Sequence, residues 1–75
     1  MITYLIHKSK FGPQVQFLYH GKPVGSFAGR ALADRGEAEG VAYELAKKTW
    51  IDTPRVMEAV MVARDECIDR GLIAG

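Results

Sequence analysis

Gln14-Val15-Gln16-Phe17-Leu18-Tyr19-His20 decides how this chain folds. Val15, Phe17 and Tyr19 fall on one side of a two-residue period, and Gln14, Gln16, Leu18 and His20 fall on the other. Alternation rich in aromatic and branched residues is the pattern of a half-buried β-strand. Upstream, Ile2–Lys8 alternates in the same way, with Ile2, Tyr4 and Ile6 opposed to Thr3, Leu5 and His7. Gly12-Pro13, within Ser9–Pro13, supplies a turn between the two strands. Downstream, His20-Gly21-Lys22-Pro23 reverses the chain again, and Val24–Phe27 forms a short third strand that Pro23 assigns to a sheet edge. Residues 1–29 therefore predict a three-stranded antiparallel meander, which needs a cover on one face.

Two helices are expected to provide it. Asp34 followed by Glu37 has the form of an N-cap with its reciprocal acid. Ala38, Val41, Ala42, Leu45, Ala46 and Thr49 recur at helical spacing, with Trp50 extending the stripe, so the first helix spans 34–50. Thr53 is a natural N-cap and Pro54 a natural first helical residue for a second helix over 54–70, closed by Gly71 in the left-handed conformation. The prediction is one α+β domain over residues 1–75, of βββαα order, with both helices on one face of the sheet. A chain of 75 residues is near the lower limit for a single apolar core.

Charge is divided unevenly. Up to Ala33 the formal charges are Lys8, Lys10, Lys22 and Arg30, with no carboxylate; from Asp34 onward nine carboxylates outnumber six cations. The second sheet face collects Thr3, His7, Gln14, Gln16 and His20, with Leu5 and Leu18 among them. It thus offers amides and imidazoles beside lysines and no acid. Such a surface suits a polar or anionic macromolecule, because amides read base edges and cations seek phosphates. The expected partner-binding residues are His7, Lys8, Lys10, Gln14, Gln16, His20, Lys22 and Arg30. The expected partner is a protein or nucleoprotein, with nucleic acid itself the other candidate. Four cations would give weak, salt-labile contact with nucleic acid.

Between Val56 and Ile68 nine of thirteen residues are apolar, a stripe that either goes wholly into the domain's own core or buries against the sheet and leaves a second surface. Met57, Met61, Val62 and Ile68 are the candidates for self-association as a homodimer, methionine being adaptable at contact surfaces. Catalysis finds little support. His7 and His20 have no carboxylate near them in sequence to complete a triad, and they are too few to hold a metal. Neither an enzyme, a metal nor a cofactor is expected. The lone Cys67 makes no internal disulfide, the N-terminal stretch lacks the apolar run of a signal peptide, and no apolar run approaches bilayer length. A cytoplasmic location follows as the expectation.

In layout, the segment from Tyr4 to Trp50, three short strands and a helix with Gly25-Ser26-Phe27 ahead of it, resembles the arm-type DNA-binding domains of tyrosine recombinases. That likeness implies a sheet docked in a major groove; the second helix and the modest charge depart from it. The chain also resembles phage-encoded inhibitors, anti-CRISPR proteins among them, in being very small, single-domain and cysteine-poor, with one polar sheet face and one apolar helix. That resemblance implies stoichiometric docking on a host nucleoprotein or enzyme. The alternative partner-binding residues would then be the helix acids Glu37, Glu39, Glu44, Asp65, Glu66 and Asp69.

Overall fold

A computed structural model describes residues 1–74. It contains β1 (Ile2–Ser9), β2 (Gly12–Tyr19), β3 (Lys22–Ala28), α1 (Gly29–Ala33), α2 (Arg35–Thr49) and α3 (Thr53–Asp69). The strands form one antiparallel sheet in the order β1-β2-β3. All three helices lie against one face, α3 over β1 and α2 over β3. The α+β architecture expected from the alternation is the one observed.

Pleat and register decide what each face holds. Tyr4 stands opposite Phe17 and Ile6 opposite Val15, so the apolar half of each period meets across the ladder. Phe17 lies at the centre, with its ring 6.5 Å from Tyr4 and 6.1 Å from Phe27. Val15 and Phe17 join Leu32, Ala38, Val41, Ala42, Leu45, Val56, Val60, Ala63 and Cys67 in one core.

The turns and helix ends correct several boundaries. The first turn is Lys10-Phe11, with Gly12 at φ 109°, and Pro13 belongs to β2 rather than to the loop. Proline is tolerated there because β3 pairs with β2 only from Gln14 onward. His20 belongs to the second turn, not to the strand. With Gly21 it has positive φ at both central positions, 51° and 78°, as a type I′ turn requires. The five-residue α1 occupies chain that carries no helical period of its own, and it places Leu32 in the core.

Asp34 caps α2 as expected, its Oδ2 accepting the Glu37 amide at 2.9 Å. At the other end Trp50 does not extend the apolar stripe. It adopts the left-handed conformation (φ 60°), donates its amide to Ala46 O, and is 94% exposed. The cap of α3 is Asp52, one residue earlier than expected, and its carboxylate pairs with Arg55 at 3.3 Å instead of capping the helix. Gly71 (φ 72°) ends α3 as expected: its amide reaches Ile68 O and that of Leu72 reaches Cys67 O, both at 2.9 Å, forming a Schellman motif.

Candidate binding surface at the hairpin end

Away from the helices, the sheet carries the polar half of each strand period. His7 faces Gln14, and Gln14 faces Ala28; Leu5 faces Gln16, and Gln16 faces Ser26. His7, Gln14 and Gln16 therefore share one carboxylate-free face, as the alternation predicts.

The cations sit elsewhere. Lys8 lies in phase with Ile6, on the helix side of β1, but beyond the helices and exposed. Lys10 is in the first turn, its ammonium 5.3 Å from the centroid of the Phe11 ring. Arg30 is exposed on α1, two residues past Ala28, and lines the same shallow groove as Phe11. Lys8, Lys10 and Arg30 thus gather at the β1–β2 turn, next to the His7–Gln14 row. Lys22 and His20 belong to the opposite end of β2, roughly 23 Å away at 3.3 Å per residue. Lys22 pairs with Tyr19, and the His20 ring lies tilted against that of Tyr19, with centroids 4.2 Å apart. The expected eight-residue site therefore divides: His7, Lys8, Lys10, Gln14 and Arg30 share one end, Gln16 lies one row inward, and His20 and Lys22 are remote.

Phe11 was absent from the expected set and is central to what forms. It is 84% exposed at the tip of the hairpin. The groove beside it holds about 320 Å³ and is lined by Pro13, Ala28, Ala33, Leu72 and Ile73 together with Arg30. A large aromatic residue within the turn sequence Ser9-Lys10-Phe11-Gly12 has no strand or helix period to bury it, and that was the available signal.

The acids are dispersed. Glu37 and Glu44 are exposed on α2, while Glu39 is half-buried and 3.9 Å from Arg35. Asp65 and Asp69 are exposed on α3. Glu66 is already engaged: it accepts the Tyr4 hydroxyl at 2.5 Å and pairs with Arg70 at 2.7 Å. That hydrogen bond, with some burial and the carboxylate charge, pushes the Tyr4 phenol up to about 12. Of the residues expected to mediate self-association, Met57 and Met61 pack against the core and Ile68 is half-buried; Val62 is 49% exposed. Arg64, inside the apolar arc of α3, donates from Nε to Leu32 O (2.8 Å) and from Nη2 to Ala33 O (3.1 Å), closing the C-terminus of α1. Burial pushes the Cys67 thiol up from its ordinary value.

Among the described residues no group of three His, Cys, Asp or Glu side chains is placed to hold a metal ion, and no helix is long and apolar enough to cross a membrane. Compared with known proteins, the chain matches no family model, no curated protein and no solved structure.

Proposed function

We propose that the protein is a non-catalytic binding module that engages nucleic acid through its β1–β2 hairpin end, working in the cytoplasm. One observation carries this reading. Phe11 projects almost fully exposed from a tip that holds Lys8 and Lys10, with Arg30 of α1 lining the groove beside it and no carboxylate side chain among the described residues of that lining. Exposed aromatic rings stack on unpaired bases irrespective of sequence, and flanking cations follow the phosphates. The neighbouring His7 and Gln14 supply hydrogen-bonding groups to base edges or sugars. Lys10 over the Phe11 ring adds a cation–π contact worth about 0.5–1 kcal/mol at an exposed site, which orients the tip.

The inhibitor reading draws less support from the geometry. Its six acids are spread over two helices, with Glu39 and Glu66 beside arginines.

Fluorescence anisotropy with a labelled oligonucleotide, single-stranded and duplex, at low salt tests the proposal. Three phosphate contacts predict that log K falls against log salt with a slope of about −2 for the single strand. Phe11→Ala should weaken binding by about 1–3 kcal/mol, the value of one stacked base. Lys8→Glu with Lys10→Glu should remove binding, whereas Lys22→Glu, at the far end, should change it little. An absence of binding to either form at low salt overturns the proposal. So does an affinity that ignores the Lys8/Lys10 change and responds to charge reversal at Asp65 and Asp69.

A further inference from the structure

The two edges of the sheet are built differently. β3 carries Lys22 and Pro23, and its register with β2 shifts between Phe17 and Leu18, leaving Val24 as an extra residue. Lys48 Nζ reaches the Val24 carbonyl at 3.5 Å. Lysine, proline and a bulge discourage a further strand from joining an edge. β1 has none of them from Ile2 to His7, and its register with β2 is unbroken. The His20 amide donates to Met1 O, so by alternation Thr3, Leu5 and His7 bond to β2. The N–H and C=O groups of Ile2, Tyr4 and Ile6 then point outward, on the side where the sheet has no further strand.

Beside this edge α3 adds an apolar bed and charge of one sign. Between β1 and α3 lies an open cleft of about 730 Å³, lined among others by Ile2, Tyr4, Ile51, Glu58, Ala59 and Val62. Glu58, Val62, Asp65 and Asp69 follow one another at steps of four and three residues, so they share one face of α3, and all are exposed. Glu58 and Val62 line the cleft, which turns that face toward the open side of β1. Arg55 is held by Asp52 at 3.3 Å and Arg70 by Glu66 at 2.7 Å. Among the described residues Glu58, Asp65 and Asp69 have no ion-pair partner, so carboxylates set the sign of the charge here.

We propose that β1 accepts an extended, basic segment of a partner protein as a fourth strand of the sheet. The outward groups of Ile2, Tyr4 and Ile6 bond the backbone of the segment, the mode in which an open sheet edge takes up a peptide. Residues of the added strand in phase with Ile2 and Tyr4 face α3. There an apolar side chain, or the stem of a lysine, rests against Val62 and the cleft, and cationic heads reach Glu58, Asp65 and Asp69. Charge complementarity selects a basic segment and rejects an acidic one. The occupant is a lone strand, because α3 already lies over β1 and a partner strand bringing its own helix on that face would collide with it. The site is separate from the nucleic-acid reading, since Lys10 and Phe11 lie in the turn beyond the paired segment.

Fluorescence anisotropy with a labelled eight-residue peptide of alternating lysine and valine provides the test. The expected Kd is about 10–100 µM, and the same peptide with glutamate in place of lysine should bind at least about tenfold more weakly. An alternating lysine–proline peptide keeps the charge but loses every second amide donor, so its affinity should fall by a similar factor. Glu58→Lys with Asp65→Lys, both at exposed positions, should weaken the lysine–valine peptide at least about tenfold while the far-UV circular dichroism stays that of the parent. Should that variant unfold, amide exchange on the parent chain still decides. With the lysine–valine peptide the amides of Ile2, Tyr4 and Ile6 should gain protection, whereas those of Thr3, Leu5 and His7, already bonded to β2, should not change. No binding of the lysine–valine peptide, equal binding of the lysine–proline peptide, or unchanged exchange at Ile2, Tyr4 and Ile6 overturns the proposal. So does protection of those amides that rises with protein concentration in the absence of peptide, which would put a second copy on the edge.

Discussion

Trp50 combines two costs at a single position. Its backbone is left-handed, a conformation that disfavours residues bearing a Cβ by roughly 1–2 kcal/mol, and its ring is turned to solvent. Glycine at this helix end removes the steric cost and sacrifices almost no packing, although it loses more entropy on folding. Trp50→Gly should therefore stabilise the fold by roughly 0.5–1 kcal/mol, read as a higher midpoint in urea. Tyr4 behaves differently, because its hydroxyl has a partner. Its phenol titrates near 10.0 when unfolded and at about 12 when folded, so the bond to Glu66 contributes fully below pH 10 and is lost as pH rises toward 12. Tyr4→Phe should lower stability at neutral pH by about 1 kcal/mol and flatten the alkaline limb of the stability–pH curve over pH 10 to 12. A limb of unchanged steepness would disprove that assignment. Neither residue's role was legible in the sequence: helical period placed Trp50 in the core stripe, and Glu66 lies 62 residues from the tyrosine it binds.

At the scale of elements, α1 is the piece without a local signature. Five residues are too few for a stable helix alone, so its conformation depends on tertiary contacts. Arg64 supplies two of these by holding the carbonyls of Leu32 and Ala33. Arg64→Met keeps much of the stem volume but leaves both acceptors unpaired. It should cost about 1.5–3 kcal/mol, measured by chemical denaturation. Gly29 supplies a close approach: a Cβ there would lie 2.9 Å from Pro13 Cγ and 3.2 Å from Ile73 Cγ2. Gly29→Ala would ordinarily favour a helix, but overpacking against the Pro13 ring costs about 1–3 kcal/mol, so the melting temperature should fall. The strands and longer helices, by contrast, were readable within a few residues. Val15 and Phe17 declare the pleat, Asp34 and Glu37 the start of α2, and Gly71 the end of α3. Each of those signals acts between near neighbours in the chain.

Across the whole molecule, Cys67 reports on the single core. Its side chain is fully buried among residues from the sheet and all three helices. Thiol labelling should therefore require global unfolding, and its rate under weak denaturant should give the same free energy as the equilibrium transition; faster labelling would mean that α3 opens independently. Charge is distributed at this scale too. The excess of cations in the first half of the chain was evident from composition, but the expectation that they would flank one sheet face was only partly met. Strand register and turn geometry moved Lys22 and His20 to one end and collected Lys8, Lys10 and Arg30 around Phe11 at the other. What the residues alone determined was local: alternation for the strands, 3.6-residue spacing for α2 and α3, and the α+β order. Which side chains meet was decided only by the tertiary structure. The partners of Tyr4 and Arg64, the existence of α1, and the gathering of cations about an exposed aromatic all depend on contacts between distant segments, and no period within a strand or helix encodes those.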